Sequence, residues 1–523
     1  MLIASVLLYY ALSYQKEANL RLFSGFLGVV GAGFAVYFLL TNDWQLQQTK
    51  IPLISQIGLW WMSVRPSLQA PLMHPNNVAS ILAVLLPFNL HTLIDARKQR
   101  KVALTIGSLV IFGLIFAGLL MTTSRGAILS LGLVLGISVL WALSGPFARL
   151  FSLRRWILFI LLILPLILLG FWFTTKFPGG VLQLLDSLPG PASVSSRAEI
   201  ARNTLLLVAD FPFTGSGLRS FPGIYSQYIL VIPYYFIEYS HNIFLEVALE
   251  QGLFGLLALA TILIGSVWLL ARSLRVRSTG LAWSAASSLA VMCLHGLVTD
   301  AIYGQHGSPF VFLQAGMAVA LAQPLMPVSK QAGQRSMANA EAWGWRKTRW
   351  TVIGLGGFAV LFLALLLGFR RPFLSAWYAN LGAVEMARVE LANFPSGEWQ
   401  DGSNVASLAY AENRFKQALQ YRPDNATANH RLGLIASLRR DFHTAVDYLE
   451  IAYQESPNHR GVQKVLGYHY AWIGNFDQST ALLRRIPEAG EEMRVYIWWW
   501  ETQDRQDLSE NAAIMAEMLK SGN

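Results

Sequence analysis

The stretch VALTIGSLVIFGLIFAGLLMT, residues 102–122, decides what kind of fold this chain can adopt. It contains no charged side chain, and it is long enough to cross the hydrocarbon core of a bilayer, which takes about 20 apolar residues in a helix. The basic run RKQRK, residues 97–101, precedes it directly. The stretch therefore predicts a membrane-spanning helix that begins beside a positively charged loop.

The whole composition supports a membrane protein. Of the 523 residues, 54% are hydrophobic and 13% are charged, whereas a soluble domain has roughly 25% charged residues. Further apolar runs predict spans at 22–41, 77–96, 126–145, 156–175, 243–271, 280–299, 308–326 and 351–369. The shorter run 2–13 lacks the basic start and cleavage site of a signal peptide, and we interpret it as a further span. Because it is short, we expect that either its start is truncated or a span is missing. The sequence thus predicts an all-α, polytopic membrane bundle of about ten spans.

The distribution of basic residues predicts the orientation of these spans. If each later run crosses once, the basic segments share one face, which the positive-inside rule makes cytoplasmic. These segments are 97–101, 149–155, 272–277 and 330–349. The outer segments are then 42–76, 123–125, 176–242, 300–307 and everything after residue 371, although Arg370 and Arg371 oppose the rule. The net charge of +10 therefore reflects membrane topology and does not indicate a nucleic-acid partner.

A second, soluble domain is predicted from the residues after 371, where a pattern recurs after 34 positions. The matched residues are Ala411, Phe415, Ala418 and Pro423, followed by Ala445, Leu449, Ala452 and Pro457. This period resembles the tetratricopeptide repeat, most clearly at 426–459, and implies an α-solenoid whose concave face binds extended partners. A helical spacer is the alternative. We therefore predict a transmembrane domain at 1–371, with an outer loop at 176–242, and a repeat domain at 372–523. The lone Cys293 excludes an intrachain disulfide in either domain.

Polar residues in the predicted outer segments are the candidates for chemistry. Arg125 lies in TTSRGAILS, residues 122–130, between two spans, where snorkelling to lipid headgroups is the alternative explanation. Arg197 and Arg202 begin a helix-like stretch in the long outer loop. Asp210 then precedes a proline turn, and a glycine pair leads to Arg219.

The end of the outer loop carries an aromatic run, residues 221–239, that continues into the stretch EYSHNIFLEVALEQG, residues 238–252. Amphipathic rings favour the membrane interface, so the run predicts a surface anchor or a wall beside a lipid-linked substrate. Ser240 or Asn242 can cap the next helix, and a helix N-terminus keeps His241 neutral and competent as a base. Glu246 and Glu250 share one face inside the predicted span, where ionisable residues are costly and are functional or paired.

Together these blocks resemble the O-antigen ligase and polymerase superfamily of bacterial membrane glycosyltransferases over residues 70–325. The blocks are HPNNVA (74–79), SRGA (124–127), SSR (195–197), DFPFTGSGLRSF (210–221) and HNIFLEVALEQGLFG (241–255). The resemblance implies a GT-C-like bundle in the cytoplasmic (inner) membrane. It also implies transfer of a glycan from a polyprenyl (undecaprenyl) diphosphate to an acceptor hydroxyl on the outer face, with inversion.

The resemblance also implies roles for individual residues. Arg125 and Arg197 would bind the diphosphate, and His241 would deprotonate the acceptor. The substrate-binding residues would be Arg202, Arg219, Asn242, Glu250, Asp300 and Asn76. Asp300 and His306, both in the predicted outer loop, are second-rank candidates; Asp300 would orient His241 or pair with an arginine, and an ordinary loop acid is the alternative. Core packing is the interpretation for His295. No cofactor is expected, and no metal, because no suitable ligand spacing occurs in the outer segments.

Three activities and one non-enzymatic role remain open at this point. A ligase, a polymerase and a protein O-oligosaccharyltransferase all need the same donor and the same base. A repeat domain that recruits a protein acceptor would favour the last of these. A transporter or an assembly scaffold is the alternative from another class, although transporters place ionisable residues near the midplane, whereas the candidates here map to the outer rim.

Overall fold

The computed structural model describes residues 2–46, 51–66, 68, 70–150, 160, 194–231, 237–301, 308–323, 368–392, 394 and 402–520. Within these ranges the chain forms α-helices and one π-helix, and no strands. The predicted spans at 156–175 and 351–369 fall almost wholly outside the described residues. Two compact units are present. The first comprises Met1–Ala201, Ser240–Phe244 and Leu257–Pro327, and the second comprises Arg202–Tyr239, Leu245–Leu256 and Val328–Asn523.

The helices before residue 323 include those formed by the apolar runs. They are α1 (Leu2–Ser13), α2 (Glu17–Thr41), α3 (Pro52–Val64), α4 (Pro75–Lys98), α5 (Val102–Met121), α6 (Arg125–Leu150), α7 (Val194–Asp210), α8 (Phe221–Tyr225), π1 (Ser226–Leu230), α9 (Ile243–Val276), α10 (Gly280–Gly296) and α11 (Ser308–Ala322).

Five of the described helices are long and apolar enough to cross a membrane: α2, α4, α5, α6 as far as Ser144, and α9. They confirm the predicted runs at 22–41, 77–96, 102–122, 126–145 and 243–271 as candidate spans. The predicted runs 2–13 and 308–326 form the shorter apolar helices α1 and α11. The run 280–299 forms α10, which has 17 residues.

Small residues let the apolar helices of the first unit approach closely. This is usual in membranes, where the hydrophobic effect does not drive helices together and close packing must do so. A Cβ placed on Gly118 of α5 would lie 2.8 Å from the Cβ of Ala35 in α2. Polar side chains add a buried chain of hydrogen bonds between helices. Gln314 Nε2 donates to Ser288 Oγ at 2.6 Å, and Ser288 Oγ donates to the carbonyl of Val84 at 2.6 Å. These bonds join α11, α10 and α4.

Helix α9 is interrupted at Gly252, whose φ of 64° and ψ of −159° are accessible essentially only to glycine. The loop after Asp210 supplies partners for the interrupted backbone. Ser216 N–H donates to Leu249 O at 2.8 Å, and Leu253 N–H donates to Pro212 O at 2.9 Å. The interruption thus fixes the glycine-rich loop against the first turns of α9 within the second unit.

The second unit also contains the C-terminal helices, most of which pack on the next helix in sequence. They are α12 (Arg370–Leu391), α13 (Gly402–Ser407), α14 (Ala409–Tyr421), α15 (Ala426–Leu438), α16 (Phe442–Glu455), α17 (Arg460–Trp472), α18 (Phe476–Leu483), α19 (Ala489–Thr502) and α20 (Gln506–Lys520).

The 34-residue pattern coincides with equivalent packing in successive helix pairs. A Cβ on Gly433 would lie 2.7 Å from Cγ of Leu449, and a Cβ on Gly467 would lie 2.7 Å from Cγ of Leu483. Both glycines therefore let the first helix of a pair approach the second. The tetratricopeptide assignment itself stays a prediction.

Candidate functional site

The first candidate, Arg125, is the first residue of α6 and is half-buried. The next residue explains how its helix reaches α10. A Cβ on Gly126 would lie 2.8 Å from Cγ2 of Val298 and 3.2 Å from Nε2 of His295. Glycine at 126 therefore permits the start of α6 to sit against the end of α10. The N–H groups and the dipole at the start of a helix favour anions, in the same sense as the charge of Arg125.

Arg197 lies in the first turn of α7 and reaches the same end of α10. Its Nη1 is 3.4 Å from the carbonyl oxygen of Val298, which lies two residues after the end of α10. Its Nε is buried and has no hydrogen-bond partner among the described residues. Burial and the charge of Arg125 lower the pKa of the Arg197 guanidinium, so the two arginines are electrostatic neighbours.

His241 precedes α9 and has a φ of 56°, a left-handed conformation that is uncommon outside glycine. Asn242 fixes the helix that follows. Its Oδ1 accepts the N–H of Phe244 at 2.9 Å, and its Nδ2 donates to the carbonyl of Leu297 at 3.1 Å. Asn242 is thus the side-chain cap of α9, one of the two alternatives predicted from the sequence, and it joins α9 to the turn after α10.

The electrostatic surroundings of His241 keep its ring neutral at physiological pH. Burial lowers its pKa to about 4, with smaller contributions from the positive charge of Arg197 and from His74. The sequence placed Arg125, Arg197 and His241 in one candidate site. The structure brings them into one electrostatic neighbourhood of the first unit, although they are separated by up to 116 positions in the chain.

His74 is a residue that the sequence reasoning missed. Its Nδ1 accepts the N–H of Asn76 at 3.2 Å at the start of α4, so the ring caps this helix. The predicted candidate in this motif was Asn76, a half-buried residue in the first turn of α4. The available signal was a histidine directly before Pro75, because proline is favoured at the first position of a helix and the residue before it is then the cap.

Three further candidates from the sequence are Asp300, His306 and His295. Asp300 is buried just after α10, and His306 lies outside the described residues. His295 is buried with its Nδ1 3.1 Å from Ser80 Oγ, which agrees with core packing.

Arg202, Arg219 and Glu250 belong to the second unit. Arg202 and Arg219 are exposed, and Arg219 has a φ of 63°. Glu250 is buried, and its carbonyl accepts the N–H of Gly217 at 3.0 Å. Their assignment to substrate binding stays a prediction.

The interpretation of the aromatic run as a surface anchor or wall is wrong for Phe221, Tyr225 and Tyr228. All three are at most 2% exposed, because their rings pack inside the second unit and do not face a lipid interface. Amphipathic rings serve a buried polar contact as readily as a headgroup, and the sequence pattern does not distinguish the two.

One group of potential metal ligands occurs among the described residues: Asp210, His430 and His459, whose ligand atoms lie within 4.8 Å of one another. Asp210 also pairs with Arg431, whose Nη2 is 2.5 Å from its Oδ2. A permanent positive charge therefore already stands beside this carboxylate, which weakens its attraction for a cation.

The first-unit arrangement suits a substrate with closely spaced negative charges and a neutral nucleophile. Two guanidinium groups and a helix N-terminus supply donors for phosphate oxygens, and an arginine keeps its charge in a partly buried site. A neutral imidazole nearby can accept a proton. The combination of two positive charges and an uncharged base is suited to displacement of an anionic leaving group by a hydroxyl.

Comparison with known families agrees with this chemistry. Residues 109–260 match the model of the family described as O-Antigen ligase. The matched range covers less than a third of the 523 residues and includes Arg125, Arg197 and His241. It supports the ligase and polymerase superfamily and suggests a membrane enzyme that transfers a lipid-linked glycan. A search of the curated proteins gave no match.

Proposed function

We propose that this protein transfers a glycan from a polyprenyl diphosphate carrier to an acceptor hydroxyl at the outer face of the bacterial cytoplasmic membrane. The observation that carries the proposal is that Arg197, Asn242 beside His241, and Gly126 beside Arg125 all approach residues 297–298 of the first unit. All of them lie within the range that matches the model of the O-antigen ligase family, apart from residues 297–298 themselves. The outer location follows from the predicted topology.

Arg125 and Arg197 would hold the diphosphate of the donor. As the bond between the anomeric carbon and the diphosphate oxygen breaks, its electron pair stays on the diphosphate, and negative charge grows there. Two fixed guanidinium groups stabilise that charge more in the transition state than in the ground state. The buried Nε of Arg197, which has no partner among the described residues, is a further donor for a phosphate oxygen.

His241 would accept the proton of the acceptor hydroxyl while the acceptor oxygen forms its bond to the anomeric carbon. Attack from the side opposite the diphosphate inverts the anomeric centre. The positive φ of His241 and the cap made by Asn242 hold the ring at the start of α9. Backbone strain of this kind is often retained where a side chain must be held for chemistry.

The proposal is tested by transfer from a polyprenyl-diphosphate-linked oligosaccharide in membranes that contain the full chain. We expect His241→Ala to lower the rate about 10²-fold to 10⁴-fold, the usual contribution of a general base. Arg197→Ala should lower it about 10²-fold or more, and Arg197→Lys should not restore it, because lysine lacks the bidentate fork.

Exposed residues of the same types provide matched controls. His443→Ala and Arg277→Ala remove an exposed imidazole and an exposed guanidinium from the surface, and both variants should retain transfer. The labelled acceptor identifies the activity: a lipid or core glycan indicates a ligase, a growing chain a polymerase, and a protein an oligosaccharyltransferase. Unchanged transfer by His241→Ala at matched expression would remove this residue as the base.

A further inference from the structure

Four of the C-terminal helices of the second unit carry charged side chains that are almost completely buried. Glu390 of α12, Arg431 of α15, Lys464 of α17 and Glu492 of α19 are each at most 7% exposed. We call this set the charged face. Charged side chains are almost never buried to this degree unless they are paired, so the face must be covered by groups that satisfy it.

The covering groups belong to this chain's own outer loop, in the segment Phe221–Val231, which we call the loop segment. The Tyr228 hydroxyl donates a hydrogen bond to the Glu390 carboxylate. The guanidinium carbon of Arg431 lies 3.1 Å from the centre of the Tyr228 ring, a cation–π contact. Tyr228 therefore contacts the charged face at two of its helices.

The backbone of the loop segment is bound as well as its side chains. Lys464 Nζ donates to the carbonyl of Leu230 at 2.6 Å and to Glu492 Oε1 at 2.7 Å. A Cβ on Gly461, in the first turn of α17, would overlap the Tyr228 carbonyl oxygen. Glycine at 461 thus leaves room for the main chain of the loop segment directly against α17.

The two ends of the covering region are also fixed by the C-terminal helices. Before the loop segment, Asp210 pairs with Arg431 Nη2 at 2.5 Å and accepts a hydrogen bond from Thr427 Oγ1 at 2.6 Å. At its end, Val231 has a φ of 63° and packs against both hydrophobic clusters of the C-terminal helices. A β-branched residue adopts this conformation only where its surroundings hold it.

We propose that the charged face of the C-terminal helices is a binding site for this chain's own loop segment, Phe221–Val231. The C-terminal helices then act as an internal receptor that holds the outer loop, and this face is not open to a foreign protein acceptor while the loop segment is bound. The inference rests on contacts within the second unit and is independent of the proposed glycan transfer.

Accessibility of the loop segment in the full chain tests this proposal. Ser226 is 1% exposed and belongs to the loop segment, and Ser479 is fully buried in α18. In a Cys293→Ser background, Ser226→Cys and Ser479→Cys are introduced one at a time, and their rates of maleimide labelling are measured in membranes. The first cysteine reports release of the loop segment, and the second reports unfolding of the helices themselves.

Gly461→Ala is the perturbation, and Gly490→Ala is its matched control. Both glycines are the second residue of a helix, α17 and α19, but a Cβ at Gly490 would meet only Leu519 Cβ at 3.8 Å, an ordinary contact. We expect Gly461→Ala to raise the labelling rate at position 226 at least tenfold while position 479 stays protected. Gly490→Ala should change neither rate.

Three results would overturn the proposal. In the first, position 226 remains protected in Gly461→Ala, which would show that the close approach at α17 does not hold the loop segment. In the second, position 226 reacts rapidly in the otherwise unchanged chain, which would show that the charged face does not bind the loop segment. Both positions could become reactive together in Gly461→Ala, which would make the segment an inseparable part of the helical core and not a ligand of it.

Discussion

The ion pair between Asp210 and Arg431 gives the sharpest test of how the second unit is stabilised. Arg431 is fully buried, and the exposed fraction of the Asp210 side chain is 6%. Removing the carboxylate by Asp210→Asn deprives a buried guanidinium of its directly paired counter-charge. Breaking a buried pair from one side costs about 3 to 5 kcal/mol, because the desolvation of the remaining charge is no longer offset.

The expected magnitude can be measured by hydrogen exchange of the α15 amides in the full chain. A loss of about 3 kcal/mol corresponds to more than about a hundredfold faster exchange, at about 1.4 kcal/mol per factor of ten. The double variant Asp210→Asn with Arg431→Met removes both charges and should recover most of this loss, since an apolar replacement of a buried pair is often neutral.

An exposed aspartate supplies the control. Asp507 pairs with Arg505 at 2.7 Å, and the side chains are 61% and 39% exposed, so Asp507→Asn should cost less than about 1 kcal/mol. The reasoning is refuted if Asp210→Asn costs no more than Asp507→Asn. It is also refuted if the double variant of Asp210 and Arg431 loses the sum of the two single effects, which would show no coupling between the partners.

Two further predictions concern backbone geometry and pH. Gly252→Ala should destabilise the second unit by about 1 to 3 kcal/mol, because an alanine is strained at this φ and its Cβ would overlap the backbone of Phe213. The control is Gly265→Ala in the same helix, where an added Cβ meets open space. This variant should not lower the melting temperature. Burial lowers the pKa of His459 and His469 to about 4 from an ordinary 6.5, so the unfolded chain binds more protons between these values. The contribution of both histidines to stability should be complete above pH 6.5 and decrease as the pH falls toward 4. The double variant His459→Gln with His469→Gln should therefore have a melting temperature that depends less on pH. An equally steep dependence in this variant and in the parent would contradict the prediction.

The sequence was sufficient for features that depend on local composition. Apolar runs near 20 residues identified five helices that the structure makes long enough to span a membrane. The short polar motif around Asn242 predicted a helix cap, because a cap requires only a side-chain acceptor two or three residues before a free N–H. Both signals are contained within one helix and its first turn.

Contacts between distant segments could not be predicted in this way. Nothing near Tyr228 in the chain indicates that Arg431, about 200 residues later, will lie against its ring. The ring therefore looked like an interface anchor. His74 illustrates the same limit at the candidate site, since its influence on His241 follows from the packing of spans and not from its own motif.

The pKa of His241 links the two arginines of the candidate site to its base. A general base is most effective when its pKa is near the working pH, and a pKa of about 4 makes the His241 ring neutral but weakly basic. Part of that depression comes from the positive charge of Arg197. A diphosphate bound at Arg125 and Arg197 would bring negative charge close to the ring and raise its pKa toward neutrality. On the proposed function, binding of the donor would therefore make His241 a stronger base. The acceptor hydroxyl would be deprotonated only when a donor glycan is bound beside it.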